Sequence, residues 1–157
     1  MTRLTQAHIL AILVPAGLLG GALAFQYLGG LAPCELCIWQ RWPHGVALTV
    51  ALLALLPVLG QARRAMIALA ALGITVSGAI GIYHAGIEQH WWQGVTACTA
   101  APVAGTTEEI LAQIMATPLV RCDAIPWSLM GISMAGWNAI LSLTFAGVIL
   151  WLIRKKA

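Results

Sequence analysis

The stretch that decides the fold is AMIALAALGITVSGAIGIYHAGI, residues 65–87, which contains no Asp, Glu, Lys or Arg. About 20 helical residues cross the ~30 Å apolar core of a bilayer, and stretches of ~17–25 residues are tolerated. Three more apolar stretches meet this criterion, at about residues 8–28, 42–59 and 129–153. Because a helix satisfies its own backbone hydrogen bonds in lipid, the pattern predicts an all-α membrane protein. We expect one domain over residues 1–157, built as a four-transmembrane-helix bundle.

The composition of the whole chain agrees with this class. Of its 157 residues, 61% are hydrophobic and 8% are charged, and the mean hydropathy is +0.89. A soluble domain has about 45–50% apolar and about 25% charged residues, so an ordinary soluble globule and a disordered chain are both excluded. The net charge of +3 is small and its charges are scattered, which argues against a protein that binds nucleic acid.

The charged residues predict the orientation of the helices. All five acidic residues fall in the two loops at 29–41 and 88–128, together with Arg41 and Arg121. The other six basic residues lie at the termini or in the turn at 60–64, where there is no acidic residue: Arg3, Arg63, Arg64, Arg154, Lys155 and Lys156. Cytoplasmic segments are enriched in Lys and Arg, so we expect cytoplasmic termini and two outer loops that hold all four cysteines.

Two local patterns add detail to the bundle. In the second outer loop, Thr106 and Glu109 fit a capping box, and Pro118 ends the segment that follows. We expect a short amphipathic helix there, either on the outer membrane surface or packed on the rest of the loop. Small residues four apart, Gly17 with Gly21 and Ser77 with Gly81 and Ala85, are typical of closely packed membrane helices. Random placement in a Gly- and Ala-rich chain explains any one pair equally well.

The four cysteines carry the chemistry that the residues suggest. Cys34 and Cys37 are separated by two residues, and such a pair readily cycles between dithiol and disulfide. Cys98 and Cys122 lie far apart, and the spacing favours their pairing with each other, as a redox pair or as a structural staple. A zinc site is disfavoured because only one of the two pairs is close, so we expect no metal.

Arg41 is the next candidate. It follows Cys37 by four residues, which places both on one face of a helix, where a guanidinium would favour the thiolate and donate hydrogen bonds to a ligand. The alternative is an arginine that reaches toward the lipid headgroups. The chain has no dinucleotide-binding fingerprint and no haem motif, so a quinone is the economical electron acceptor. We expect His8, His44 and His90 to lie at the membrane interface.

A set of motifs spans nearly the whole chain. Residues 34–41 read CELCIWQR, Tyr83-His84 lies late in the third stretch, and Pro126-Trp127 leads toward Gly131 and Trp137. Together with the two cysteines of the second outer loop, these motifs resemble the disulfide bond formation protein B family, the bacterial quinone-dependent thiol oxidases.

The resemblance implies an enzyme of the bacterial inner membrane. It would reoxidise a periplasmic thioredoxin-like oxidase of the DsbA type and pass the electrons to ubiquinone or menaquinone. The partner would attack the Cys98–Cys122 disulfide at Cys98, a transient Cys34–Cys122 bond would follow, and Cys37 would hand the electrons to the quinone. The site residues that the resemblance implies are Cys34, Cys37, Cys98 and Cys122 for catalysis, and Arg41 and His84 for the quinone.

Two alternatives from other classes remain. A vitamin K epoxide reductase-like quinone reductase would carry its loop cysteines before the Cys-x-x-Cys pair, whereas here Cys34 and Cys37 come first. A non-enzymatic membrane bundle stapled by disulfides would leave Arg41 and the close cysteine pair unexplained.

Overall fold

The computed structural model describes residues 1–94, 106–108, 111 and 120–154. Within these residues the chain forms helices and one short hairpin, whose bounds are α1 (Arg3–Tyr27), α2 (Glu35–Leu53), α3 (Arg63–Glu88), β1 (Ser128–Leu129), β2 (Ile132–Ser133) and α4 (Met134–Arg154). Helix α3 packs most extensively, against α4 and α2, and α1 lies against α2 and α4. The helical architecture agrees with the predicted fold class.

Three of the helices, α1, α3 and α4, are long and apolar enough to cross a membrane. Helix α2 has 19 residues, but its first three turns carry polar side chains that lower its mean hydropathy: Glu35, Gln40, Arg41 and His44. Over the described part of the chain, the count of four spans therefore stays a prediction, in which α2 would be the remaining span.

The bounds of α2 differ from the apolar stretch predicted at 42–59. The helix begins at Glu35 and ends at Leu53, and a 3-10 turn at Pro57–Leu59 follows it. The polar side chains at its start do not prevent a helix, because Gln40, Arg41 and His44 each make hydrogen bonds inside the bundle. Pro57 cannot donate the backbone hydrogen bond that a longer helix would need. The apolar residues after Leu53 therefore form the turn toward α3.

A hairpin replaces the first five residues of the fourth predicted span at 129–153. Its strands pair Ser128 with Ser133 and Leu129 with Ile132. Met130 and Gly131 form the turn with φ angles of 54° and 77°, and positive φ at both central residues matches the twist of a two-residue hairpin. Helix α4 accordingly begins at Met134.

Small residues set the distances between the helices. A Cβ atom on Gly81 of α3 would lie 3.0 Å from the carbonyl oxygen of Ala135 and 3.1 Å from the backbone nitrogen of Ala139, both in α4. The expectation of close packing is confirmed at this position. A Cβ on Gly17 or Gly21 of α1 would meet no atom of the described residues within 4 Å, because both glycines border a cavity.

Two predictions concern residues that the structure does not describe. The amphipathic helix expected between Thr106 and Pro118 lies outside the described residues, apart from isolated positions. Cys98 also lies outside them, so its pairing with Cys122 stays a prediction.

Candidate functional site

The two cysteines of the CELC sequence lie at the first turn of α2. Cys34 is the N-cap residue: its backbone is extended, and its Sγ accepts a hydrogen bond from the backbone N–H of Cys37 at 3.2 Å. A Cys-x-x-Cys spacing at a helix start therefore brings both sulfurs together. Their Sγ atoms lie 2.8 Å apart, with the Cys34 thiol as donor. Both residues precede the apolar part of α2, which begins at Trp42.

This hydrogen bond makes the two thiols unequal acids. The thiol of Cys34 donates to Cys37 and lowers the pKa of Cys37 to about 7, although burial acts in the opposite direction. The same hydrogen bond, together with burial, raises the pKa of Cys34. Since the thiolate is the reactive form of cysteine, Cys37 is the member of the pair that is poised to react near neutral pH.

Cys122 and His84 join Cys34 in a buried cluster. The three side chains are 6%, 3% and 5% exposed, and their ligand atoms all lie within 4.8 Å of one another. The Nε2 atom of His84 is 3.5 Å from the Sγ of Cys34. The two sulfurs of a disulfide are ~2.05 Å apart. A bond between Cys34 and Cys122 would therefore require their side chains to rotate closer together than in this arrangement. Cys34 is thus close to one sulfur in α2 and to another in the second loop.

His84 is held in one orientation by its neighbours. The Nε2 atom of Gln40 donates a hydrogen bond to Nδ1 of His84 at 2.9 Å, so the proton of a neutral ring lies on Nε2, which faces Cys34. The Oε1 atom of Glu88, one turn later in α3, lies 3.8 Å from the same Nε2, and Ser133 donates a hydrogen bond to this carboxylate. His84 therefore directs its Nε2–H toward the Cys34 sulfur and the backbone carbonyl of Cys122, and the Glu88 carboxylate lies beyond hydrogen-bond distance.

A mostly apolar cavity of about 390 Å³ lies beside the cluster, bordered by α1, the first half of α2 and the first half of α4. Ligand pockets are typically ~300–1,000 Å³. Cys34, Cys37 and Arg41 lie on its wall. Phe25 and Trp127 also line it, with ring centroids 4.8 Å apart, and offer aromatic surface to a flat ligand.

Arg41 reaches from α2 to α1. Its NH1 donates to Oε1 of Gln26 at 2.5 Å, and its NH2 donates to the carbonyl oxygen of Ala22 at 3.4 Å. Its Nε is buried and has no hydrogen-bond partner among the described residues. Buried polar groups in proteins are nearly always hydrogen-bonded, so this N–H is an exception among the described residues, on a side chain that lines the cavity.

The cluster of Cys34, His84 and Cys122 also has donor atoms that suit a soft metal ion. However, the hydrogen bond from Gln40 to Nδ1 of His84 leaves the ring proton on Nε2, the nitrogen that faces the two sulfurs. A metal would have to replace that proton. The arrangement therefore favours hydrogen bonding over metal ligation, and the expectation of no metal stays a prediction.

The structure brings together five of the predicted site residues: Cys34, Cys37, Cys122, Arg41 and His84. Sequence reasoning missed a second group, in which Asn138 donates to Oε1 of Gln40 at 2.7 Å and accepts from Nε2 of His44 at 2.9 Å. His44 and His8, which were expected at the membrane interface, have side chains buried inside the bundle, 3% and 1% exposed. Polar residues inside apolar stretches were the available signal, because they mark functional sites in membrane proteins.

Comparison with known proteins agrees with the resemblance in the sequence. Residues 4–152 match the family described as "Disulfide bond formation protein DsbB". The disulfide bond formation protein B of Aromatoleum aromaticum is 31% identical over 152 residues, which cover 91% of this chain and 89% of the relative. Its counterpart in Stutzerimonas stutzeri is 27% identical over 157 residues, with 94% and 93% covered.

A third relative, the disulfide bond formation protein B of Xanthomonas campestris, is 31% identical over 152 residues, which cover 91% of this chain and 84% of the relative. No solved structure matches the chain. The match extends over nearly the whole sequence and includes the cysteine pair of α2 and the cavity wall. The chain therefore belongs to the disulfide bond formation protein B family and is a membrane protein of disulfide bond formation.

Proposed function

We propose that the chain is a thiol:quinone oxidoreductase of the bacterial inner membrane. It would reoxidise a periplasmic thioredoxin-like oxidase of the DsbA type and pass the electrons to ubiquinone or menaquinone. The observation that carries the proposal is the position of the Cys34 sulfur. It lies 2.8 Å from that of Cys37 and within 4.8 Å of that of Cys122, on the wall of an apolar cavity.

Electrons move between the cysteine pairs by thiol–disulfide exchange, in which a thiolate attacks a disulfide sulfur and one S–S bond forms as another breaks. Two thiols of the partner become a disulfide while the Cys98–Cys122 disulfide is reduced. Cys122 then attacks Cys34 in an oxidised Cys34–Cys37 pair, so that the Cys34–Cys122 bond forms as the Cys34–Cys37 disulfide breaks and releases Cys37 as a thiolate. Attack by Cys98 on the Cys34–Cys122 bond restores the loop disulfide and leaves Cys34 and Cys37 reduced.

His84 and the first turn of α2 assist this exchange. His84 directs its Nε2 proton toward the Cys34 sulfur, where it would stabilise negative charge when Cys34 leaves a disulfide. The backbone N–H of Cys37 donates to the same sulfur. Once both cysteines are reduced, the Cys34 thiol donates to Cys37 and holds the pKa of Cys37 at about 7. The electron pair is then available on the sulfur of Cys37, at the cavity wall.

The cavity suits a quinone. When bound, this group would supply an acceptor for two electrons and two protons. Phe25 and Trp127 offer aromatic surface to its ring, and the unpaired Nε–H of Arg41 would donate to a carbonyl oxygen. Arg41 would thereby favour electron density on the ligand beside Cys37. A DsbA-type partner is itself a strong oxidant, at about −120 mV, so an ordinary disulfide would not oxidise it without such an acceptor.

The charge distribution supports the expected orientation. Arg3 begins α1, Arg63 and Arg64 begin α3 and Arg154 ends α4, and these basic residues lie at the end of the bundle opposite to the cavity. By the excess of Lys and Arg in cytoplasmic segments, the cavity end would face the periplasm. A soluble periplasmic partner would then reach the second outer loop directly.

The test is single-turnover spectroscopy on the purified full chain in detergent. The chain is mixed with ubiquinone and a reduced thioredoxin-like dithiol protein, and the absorbance of the quinone is followed. We expect quinone loss that matches dithiol oxidation mole for mole. Cys37→Ser should abolish quinone loss because it removes the attacking sulfur. A matched control is Thr49→Val, since Thr49 is an exposed residue of α2 whose hydroxyl bonds only its own helix.

The outcomes separate the proposal from its rival. Normal quinone turnover in the Cys37→Ser variant would contradict the role of Cys37. No quinone loss in the unaltered chain, with all cysteines stably paired, would contradict the proposal and leave the disulfide-stapled bundle as the better account.

A further inference from the structure

Two buried amides connect α2, α3 and α4, and backbone carbonyls determine how each amide is oriented. The Nδ2 atom of Asn138 donates to the carbonyl oxygen of Ser77 at 3.2 Å, and the Nε2 atom of Gln40 donates to the carbonyl oxygen of Leu36 at 3.1 Å. A carbonyl oxygen can only accept a hydrogen bond. Turning either amide over would place two oxygens against each other, so the amide nitrogens must face these carbonyls.

The orientation of Asn138 determines which nitrogen of His44 carries the proton. With Nδ2 committed to Ser77 and Gln40, the Oδ1 atom of Asn138 faces Nε2 of His44 at 2.9 Å. Because Oδ1 only accepts, Nε2 must be the donor. A neutral imidazole has one N–H, and an unpaired charge on so buried a side chain would be costly. The Nδ1 atom of His44 is therefore a hydrogen-bond acceptor.

This acceptor is buried and unsatisfied. Nδ1 of His44 has no hydrogen-bond partner in the part of the chain that the structure describes, and the side chain is 3% exposed. His44 lines the same cavity as Arg41, which precedes it by one helical turn. Arg41 contributes the unsatisfied donor Nε–H. Two side chains of the cavity wall thus each contain one buried nitrogen without a partner among the described residues, a donor in Arg41 and an acceptor in His44.

We propose that Nδ1 of His44 accepts a hydrogen bond from a hydroxyl group of ubiquinol, so that His44 makes the site bind the reduced ligand more tightly than the oxidised one. The inference rests on the proposed function. The carbonyl oxygens of ubiquinone only accept hydrogen bonds, so they can use Arg41 but have nothing to donate to His44. Ubiquinol has two hydroxyl groups, and one of them can satisfy Nδ1.

The consequence is a preference that acts in the direction of the proposed reaction. Tighter binding of the reduced form stabilises the product of electron transfer from Cys37. Asn138 is a positioning residue in this scheme, since its role is to hold the proton on Nε2 of His44.

The experiment compares the two ligand forms by direct binding, without turnover. The full chain carrying Cys37→Ser, which blocks electron exchange, is titrated anaerobically in detergent with ubiquinone and with ubiquinol of the same short tail. Quenching of tryptophan fluorescence reports binding, because Trp127 lines the cavity. Adding His44→Phe should raise the Kd for ubiquinol about fivefold to tenfold, the usual effect of one neutral hydrogen bond. The Kd for ubiquinone should change less than about twofold.

Two matched variants distinguish recognition from a general disturbance. His44→Asn places an amide oxygen near the position of Nδ1 and should restore most of the ubiquinol affinity. Ser142→Ala removes another hydrogen bond to Oδ1 of Asn138, at 3.0 Å, without touching Nδ1 of His44, and should leave both Kd values unchanged. The thermal midpoint of each variant verifies folding.

Equal loss of both ligands in His44→Phe, or loss of neither, would overturn the role of His44 and leave the proposed function intact. Failure of the starting protein to bind either ligand form would overturn the quinone site, and the inference with it.

Discussion

The two ends of the bundle each contain a buried histidine near an arginine, and they differ in how completely those side chains are satisfied. At the end opposite to the cavity, Nε2 of His8 lies 2.7 Å from the carbonyl oxygen of Ala51. Because a carbonyl oxygen can only accept, Nε2 is the donor of this hydrogen bond. Nδ1 of His8 accepts from Nε and NH2 of Arg63 at 3.0 and 2.7 Å. At the cavity end, His44 and Arg41 each have one buried nitrogen without a partner among the described residues.

The difference indicates which polar cluster holds the helices together and supports the proposal that the other one binds a ligand. An unmet hydrogen bond in a protein interior costs about 1–3 kcal/mol. The cluster of His8 and Arg63 avoids that cost and ties α1 to α2 and α3. In the ligand-free chain, the cluster at the cavity is destabilised by its two unmet hydrogen bonds. A ligand that satisfies both nitrogens would recover this free energy on binding. Under the proposal, the same residue types would serve stability at one end and ligand recognition at the other.

The largest expected effect comes from replacing the arginine at the cavity end, Arg41, with alanine. Arg41→Ala should lower the rate of quinone reduction about tenfold to a hundredfold, because a hydrogen bond from a charged donor contributes about 1.5–3 kcal/mol. Oxidation of the partner in a single turnover without quinone should change less than about twofold. Arg63→Ala is the matched variant and should leave quinone reduction unchanged. If both steps keep their rates in Arg41→Ala, Arg41 is only an interfacial anchor and the comparison fails.

A second test examines the thiol pair at the cavity end. In the reduced chain with Cys98 and Cys122 replaced by Ser, the thiolate absorbance of Cys37 should titrate with a midpoint of about 7, because the Cys34 thiol donates to it. Above that pH the thiolate predominates. Cys34→Ala removes the donor, so the midpoint should rise by about one to two pH units, toward the ordinary cysteine value of ~8.5. An unchanged midpoint would mean that Cys34 does not control the acidity of Cys37.

The smallest expected effect is on stability at the closed end. His8→Leu removes the acceptor of Arg63 and the donor to Ala51, so the free energy of unfolding should fall by about 1–2 kcal/mol. Unfolding in mixed detergent micelles measures this change, and the KM for quinone should stay the same. His90→Asn is the control, because His90 is an exposed histidine with a φ of 58° that asparagine tolerates. A raised KM in His8→Leu would show that the two ends are coupled.

The sequence predicted the helices better than the connections between them. The apolar stretches at 65–87 and 8–28 correspond to α3 and α1 with shifts of a few residues. The hairpin at 128–133 was not predicted, because its four strand residues lie within or beside an apolar stretch. Only the geometry of its turn distinguishes it from the start of a helix. The early start of α2 was not predicted, because a search for apolar stretches does not detect a helix whose first turns are polar.

The site shows the same division. Cys34, Cys37 and Arg41 were predictable as one unit, since local spacing on a helix start places them together. The roles of His44 and Asn138 were not predictable. Their meaning depends on a hydrogen bond between residues 94 positions apart.

The sequence by itself determined that this is a helical membrane protein with a Cys-x-x-Cys pair next to an apolar stretch, because hydropathy and the spacing of neighbouring residues are local properties. Only the tertiary structure decided that Cys34 meets Cys122 and His84, and which buried nitrogens are left for a ligand. The physical reason is that these hydrogen bonds join side chains of different helices. They depend on which helix faces pack together, and the sequence does not specify that packing.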